Sequence, residues 1–128
     1  MKRIILLAFS LLLFLSCSKS GDELTDTKWV AKFENCLFCL EFVMYDVPTV
    51  IDYECNIAYE PISEEQSAWY EFDGNYIRID GMATLHVEAT HTAWYIENLT
   101  LDKNAKEMRG YATDFEGEYK EICFKRVK

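Results

Sequence analysis

Apolar and polar residues alternate with a period of two along almost the whole chain from residue 27 onward. In the first such stretch Trp29, Ala31 and Phe33 share one face, and Lys28 points to the other. Because successive side chains of a β-strand point to opposite sides of the sheet, this alternation predicts strands with one buried face. Eight or nine such strands follow one another through short turns, so neighbouring strands are expected to be antiparallel.

The strongest hairpin signal lies in residues 69–79, around the dipeptide formed by Gly74 and Asn75. A two-residue turn at this point sets apolar residues opposite apolar ones and sets opposite charges against each other. The predicted pairs are Phe72 with Ile77, Glu71 with Arg78, and Tyr70 with Ile79.

Two irregular positions are predicted after this hairpin. Asp80 and Gly81 predict a further turn, because this dipeptide is a common turn former. In the strand of residues 94–101 the apolar positions change from even to odd numbers. Such a change of face predicts a β-bulge near Glu97 and Asn98.

The alternation also assigns an inward face to the third strand. Tyr53 and Cys55 alternate there with Asp52 and Glu54. The pattern therefore predicts that Tyr53 faces the core and that Asp52 faces the solvent.

Residues 62–68 carry a helical signal between the strands. Ser63 followed by Gln66 forms a capping box, and Glu64 and Glu65 suit the first turn of a helix. We therefore predict one short helix or lid near residues 62–68, over one end of the sheet.

The N-terminus has a different pattern, in which Lys2 and Arg3 precede an apolar run over residues 4–15. A helix of this length spans roughly 18 Å, which is shorter than the roughly 30 Å of a membrane's hydrocarbon core. The segment is therefore predicted to be the helix of a secretory signal peptide and not a membrane span.

The end of this run, Phe14, Leu15, Ser16 and Cys17, resembles the lipobox of bacterial lipoproteins. The resemblance implies that Cys17 is acylated through its sulfur, becomes the first mature residue and anchors the protein to a lipid bilayer. In such lipoproteins of the outer membrane the next residue is typically not Asp, so Ser18 implies a lipid-anchored place in the cell envelope, at the outer membrane on its periplasmic or surface face.

The chain then divides into a signal peptide at residues 1–16, a lipidated tether at 17–26 and a β-barrel domain at 27–128. The alternative is an ordinary signal peptide that is cut near residues 16–20, in which case Cys17 has no special role.

The net charge narrows the choice of partners. The sequence has 13 basic and 22 acidic residues, and removal of Lys2 and Arg3 with the signal leaves 11 against 22, a formal charge of −11. Such a surface repels phosphate backbones, so nucleic acid is not an expected partner.

About eight antiparallel strands with one apolar face each form either a closed barrel or a sandwich. Residues 24–29, with Trp29 at their end, are similar to the first strand of lipocalin-like barrels, and later segments are similar to small lipoproteins with that domain. The later segments are residues 99–102, 108–110 and 123–127. The resemblance implies an all-β fold with a single antiparallel up-and-down barrel, in which Arg109 or Arg126 stacks on Trp29.

The mature chain contains an even number of cysteines besides Cys17, which in an exported protein suggests disulfides. They are Cys36, Cys39, Cys55 and Cys123, and the three possible pairings remain open. Cys36 and Cys39 spell a redox motif, but they lie in a strand pattern and not at a helix N-terminus, where a dipole lowers the thiol pKa.

Residues three apart in a strand lie roughly 10 Å apart on opposite faces, so these two are not expected to bond unless Cys36 sits in a turn. Structural disulfides or buried free thiols are therefore predicted over thiol-redox catalysis. One CxxC pair alone does not suggest zinc. His86, Glu88 and His91 are expected to be ordinary exposed residues, so no metal and no cofactor are predicted.

Two non-catalytic functions fit these patterns. In the first, the barrel interior binds a small apolar ligand, and the candidate lining residues are Phe38, Phe42, Tyr53 and Trp94, with Trp29 and the four cysteines in structural roles. In the second, the barrel is filled, and aromatic residues off the apolar face, Tyr45, Trp69 and Tyr76, meet a protein or a glycan.

Overall fold

The structure is a computed structural model that describes residues 23–128; the predicted signal helix and Cys17 lie outside the described residues. The strands are β1 (Thr27–Phe33), β2 (Cys36–Met44), β3 (Pro48–Cys55), β4 (Gln66–Phe72), β5 (Tyr76–Val87), β6 (Thr92–Leu101), β7 (Glu107–Thr113) and β8 (Tyr119–Arg126). A single 3-10 turn, Glu88–Thr90, joins β5 to β6. Within residues 23–128, no helix is long and apolar enough to cross a membrane.

Each strand pairs with the next in antiparallel fashion, and β8 returns to pair with β1. The predicted all-β, up-and-down barrel is therefore confirmed, and it is a closed barrel of eight strands. The ninth strand is missing because Asp80 and Gly81 do not form a turn. They lie inside β5, where the register jumps between Arg78 and Ala83 and the strand bends without ending.

The predicted hairpin and bulge are both confirmed. All three predicted pairs of the β4–β5 hairpin are present, and Arg78 forms a salt bridge of 2.8 Å with Glu71. In β6 the register against β7 shifts between Tyr95 and Leu99, so one extra residue lies near Asn98. Both features are local, because they depend on residues that are close together in the chain.

The barrel interior is a packed apolar core. Trp29, Phe38, Phe42 and Phe124 are the largest side chains that are fully buried in it. Trp29 also donates a hydrogen bond of 2.8 Å from its Nε1 to Thr27 Oγ1. Opposite Trp29 in the β1–β8 pairing lies Arg126, which donates to the carbonyl oxygen of Lys128 at 3.0 Å.

The predicted inward face of β3 is wrong. Asp52 pairs directly with the core residue Leu40 of β2, so Asp52 faces inward, where it is 2% exposed. Tyr53 and Cys55 face outward, where they form a second small apolar cluster with Cys39. The outward residues are apolar because the chain after β3 covers this part of the wall, and a strand that is buried on both faces loses its informative alternation.

The predicted helix near residues 62–68 is also wrong, because β4 already begins at Gln66. The preceding segment runs along β3 as an irregular strand. Ile62 N–H donates to the Glu54 carbonyl oxygen at 2.9 Å, and Ser63 Oγ accepts from Glu54 N–H at 2.8 Å. Ser63 thus bonds to β3 and does not cap a helix.

Candidate functional site

The residues proposed for an interior ligand site do not all meet. Phe38, Phe42 and Trp94 belong to the barrel core, whereas Tyr53 lies on the outer face. The Phe42 ring packs edge-to-face on Tyr70 with centroids 4.9 Å apart, and Trp94 packs on Phe33 at 5.2 Å. The rings of Phe42 and Trp94 therefore contact neighbouring core rings, and all three interior residues contribute to the packing of the core.

The four described cysteines carry free thiols and are unequally placed. Cys36 packs against the barrel core and Cys39 lies in the outer cluster, so the CxxC residues lie on opposite faces, as predicted. Cys39 and Cys55 approach to 2.7 Å between their sulfurs. Burial raises the pKa of every one of these thiols, that of Cys39 to about 12, so the reactive thiolate form is disfavoured.

His86 and His91 lie on either side of the 3-10 turn that carries Glu88. In residues 23–128 no group of three or more His, Cys, Asp or Glu side chains is arranged to hold a metal ion.

Three aromatic residues predicted off the core face are exposed, but they do not form one patch. Tyr45 and Trp69 line a shared shallow groove of about 380 Å³ over β3 and β4. Tyr76 pairs with Thr100 of β6, at the start of β5. Of the three residues proposed to meet a protein or a glycan, only Tyr45 and Trp69 therefore share a groove.

A larger groove lies on the outside of the wall made by β6, β7 and β8, and it was not foreseen from the sequence. We call it the outer groove, and its volume is about 560 Å³. Its lining residues are Tyr95, Glu97, Asn98, Thr100, Leu101, Asp102, Arg109, Gly110, Tyr111, Thr113 and Glu121.

The β6 bulge and Gly110 shape the floor of the outer groove. Gly110 pairs with Leu99 directly beside the bulge. A Cβ atom at position 110 would lie 2.4 Å from the carbonyl oxygen of Asn98. Only glycine allows the two backbones to approach this closely, because an added Cβ would also lie 2.9 Å from the buried Leu99 side chain.

Two edge-to-face aromatic pairs contribute to the outer groove. The rings of Tyr95 and Phe115 lie 5.0 Å apart, and those of Tyr111 and Tyr119 lie 5.6 Å apart. Tyr111, Phe115 and Tyr119 are 58%, 83% and 69% exposed. The outward parity of Tyr111, next to the inward Met108 and Ala112, was the signal that could have identified this face.

The charged groups of the outer groove are mostly acidic. Glu97, Asp102 and Glu121 face one cation, Arg109. The guanidinium of Arg109 binds Glu107 at 3.0 Å and Glu121 at 3.5 Å, and the hydrogen bond to Glu107 is the main reason that its pKa is raised. The groove thus offers aromatic faces together with many hydrogen-bond acceptors and a net negative charge.

A second opening lies between β3 and β5, at the level before β4 begins. Because β4 begins only at Gln66, the adjoining part of β5 has no strand partner on that side. The Asp52 carboxylate accepts a hydrogen bond from the backbone N–H of Thr84 of β5 instead. Burial raises the pKa of Asp52 to about 7 despite that bond, and a cleft of about 270 Å³ leads to it past Glu64 and His86.

Comparisons of the chain with protein-family models, with curated proteins and with solved structures gave no match.

Proposed function

We propose that the protein is an exported lipoprotein that is anchored through acylated Cys17 and binds a partner on the outside of a filled barrel. The anchor is supported by the basic start, the short apolar run and the lipobox-like residues that end at Cys17. A single acyl chain binds a membrane only weakly, so stable anchoring needs more than one chain on the cysteine.

The outer groove is the single observation that carries the binding part of this proposal. The aromatic rings inside the barrel pack against one another, whereas Tyr111 and Tyr119 of the outer wall are open to solvent. A volume of about 560 Å³ lies in the range of roughly 300 to 1,000 Å³ that is usual for ligand sites. We therefore assign binding to the outer groove and not to the interior.

The chemistry of the outer groove favours a carbohydrate. A sugar ring has an apolar C–H face that packs on an aromatic ring and hydroxyl groups that need hydrogen-bond partners. Tyr95 and Tyr111 supply ring faces, and Glu97, Asn98 and Arg109 supply planar donors and acceptors around them. The acidic surroundings disfavour anionic polymers, so a neutral or amine-bearing glycan fits best.

The anchor is tested with the full chain expressed in a bacterium that processes lipoproteins. We expect the intact mass to correspond to a chain that starts at Cys17 and carries fatty acid, and Cys17→Ser to prevent acylation. A mature chain cut elsewhere between residues 16 and 20, without lipid, would support the ordinary signal peptide instead.

Glycan binding is tested by calorimetry on the purified protein with chitohexaose, cellohexaose and an alginate oligomer as neutral and acidic probes. We expect binding of a neutral probe, at least a tenfold loss of affinity in Tyr111→Ala, and little effect of Trp69→Ala, which truncates an exposed aromatic outside the outer groove. Equal loss in both variants, or binding of the acidic probe alone, would contradict the assignment. If all three probes fail and a purified envelope protein binds in a Tyr111-dependent manner, the partner is a protein and the carbohydrate assignment is wrong.

A further inference from the structure

The outer cluster brings together two thiols from neighbouring strands. Cys39 of β2 lies opposite Tyr53, and Cys55 of β3 lies opposite Leu37, so the two cysteines are diagonal neighbours on one face. Their sulfurs are 2.7 Å apart, and both residues are buried.

The barrel keeps the other two described cysteines away from this pair. Cys36 faces the core side of β2, because it pairs with the inward Phe33. Cys123 lies on β8, and β1 separates β8 from β2. Strands are spaced by about 4.8 Å, so a cysteine two strands away is beyond the reach of a disulfide. None of the three complete pairings left open by the sequence can therefore form, and only the bridge between Cys39 and Cys55 is within reach.

We propose that Cys39 and Cys55 are joined by a disulfide in the exported protein and that Cys36 and Cys123 remain thiols. Two S–H bonds break and one S–S bond forms, and the two electrons and two protons pass to a reactive disulfide of a thiol oxidase, which becomes a dithiol. Because oxidising conditions are met outside the cytoplasm, the inference rests on the proposed export.

The segment of residues 56–62, which we call the covering segment, determines when the disulfide can form. Residues 56–62 continue directly from Cys55 and cross the outside of β1, where Lys28 Nζ donates to the Tyr59 carbonyl oxygen at 2.6 Å. A buried, protonated thiol cannot attack a disulfide, so oxidation precedes the closure of this segment. Once formed, the bond holds the start of the segment to β2 and is itself shielded from reductants.

The test separates pairing from export. The full chain is refolded in vitro in a glutathione redox buffer, alkylated, digested and mapped by mass spectrometry. We expect one bridged peptide pair, Cys39 with Cys55, with a mass lower by two hydrogens and restored by reduction. A bridge that uses Cys36 or Cys123, or a refolded chain in which Cys39 and Cys55 are both alkylated, overturns the pairing.

Matched variants sharpen the result. Cys123→Ser and Cys36→Ser each keep the bridge, whereas Cys39→Ser leaves Cys55 as a thiol that is alkylated only after unfolding. The same map is then made on protein isolated from the envelope of the expressing bacterium. If the bridge forms in vitro but the cell-derived protein has two thiols, the pairing stands and oxidation in the exported protein is overturned. If that cell-derived protein also has an unprocessed N-terminus, the proposed export is overturned as well.

Discussion

Two parts of the outer barrel wall carry outward aromatic residues, and they have opposite environments. On β1–β3, Tyr53 is 3% exposed and donates a hydrogen bond of 3.0 Å to Glu41. On β6–β8, Tyr111 is 58% exposed and contacts Tyr119. The residue type and the strand parity are the same, so neither distinguishes a structural aromatic from one that is available for binding. The difference lies in whether another segment covers the wall.

The length of the connection after each wall explains the difference. Ten residues separate β3 from β4, and this segment folds back over the outside of β1–β3. Between β7 and β8 the chain makes a tight turn instead. Asp114 Oδ1 accepts hydrogen bonds from the backbone N–H groups of Glu116 and Glu118, which leaves no chain to cover Tyr111.

Truncation of one tyrosine on each wall gives the largest contrast. We expect Tyr53→Ala to lower the free energy of unfolding by about 4 kcal/mol, because it removes a buried ring that packs on both thiols. Tyr111→Ala is expected to change it by less than about 0.5 kcal/mol, since its ring is solvent-exposed. Urea unfolding of both variants measures the difference, and similar losses would mean that the two walls are equally structural.

The long connection has a second consequence at Asp52, because the part of β5 beside Asp52 has no β4 partner. The pKa of Asp52 is raised from its ordinary value of 3.8 to about 7 by burial, so the folded state holds its proton more tightly than the unfolded chain. Its contribution to stability is therefore fully present below about pH 4 and is lost as the pH rises to 7. Asp52→Asn removes this loss, because an amide does not ionise. At pH 8 we expect the variant to be more stable than the unchanged protein by about 3 kcal/mol.

The measurement is the free energy of unfolding of Asp52→Asn and of the unchanged protein at intervals between pH 4 and pH 8. Glu54→Gln serves as the control, because Glu54 has the same inward parity on β3 but lies nearer the barrel mouth and is only half-buried. If the free energy of unfolding depends on pH in the same way in Asp52→Asn and in the unchanged protein, Asp52 is ionised in the folded protein with little loss of stability.

The features that were predictable from the sequence are those in which neighbours along the chain decide the structure. The β4–β5 hairpin is one, since Gly74 and the pairing of Glu71 with Arg78 lie within a few residues of each other. The β6 bulge is another, because the parity change appears within a single strand. The number of strands and their short connections left a closed barrel and a sandwich both open, and the resemblance to lipocalin-like barrels implied the closed form.

The features that were not predictable depend on segments that meet only in the folded barrel. Tyr53 was predicted to face the core because it alternates with Asp52 and Glu54. It is buried instead by the segment after β3, and no local pattern indicates that this segment folds back over β1. Ser63 had the spacing of a helix cap, but its hydroxyl bonds to Glu54 of the neighbouring strand. The outer groove needed the β6 bulge and Gly110 to be side by side, and their pairing is visible only in three dimensions.

Gly110→Ala tests the uncovered wall through its backbone. The added methyl group would lie 2.4 Å from the Asn98 carbonyl oxygen, so β6 and β7 must separate. Overpacking of this kind costs about 2 kcal/mol, and we also expect weaker binding of any ligand of the outer groove. Thermal unfolding measures the first effect, and Gly117→Ala, at a turn with nothing near its Cβ, separates steric overlap from backbone strain.

The smallest effect is expected from the bond that holds the covering segment in place. Lys28 Nζ lies 2.6 Å from the Tyr59 carbonyl oxygen and 5.6 Å from the centre of the Tyr53 ring. Lys28→Met keeps the apolar stem of the side chain and removes this bond, at a cost of about 1 kcal/mol. We expect faster hydrogen exchange at residues 56–62, with little change elsewhere.

Lys32→Met is the matched control, because Lys32 lies on the same outward face of β1, four residues further along. If both variants exchange alike, the Lys28 bond does not hold the covering segment, and the apolar contacts of Tyr53 and the two thiols suffice. If exchange at residues 56–62 rises in Lys28→Met alone, the covering segment opens as a unit. The two walls of the barrel then differ by a segment that a single hydrogen bond helps to keep closed.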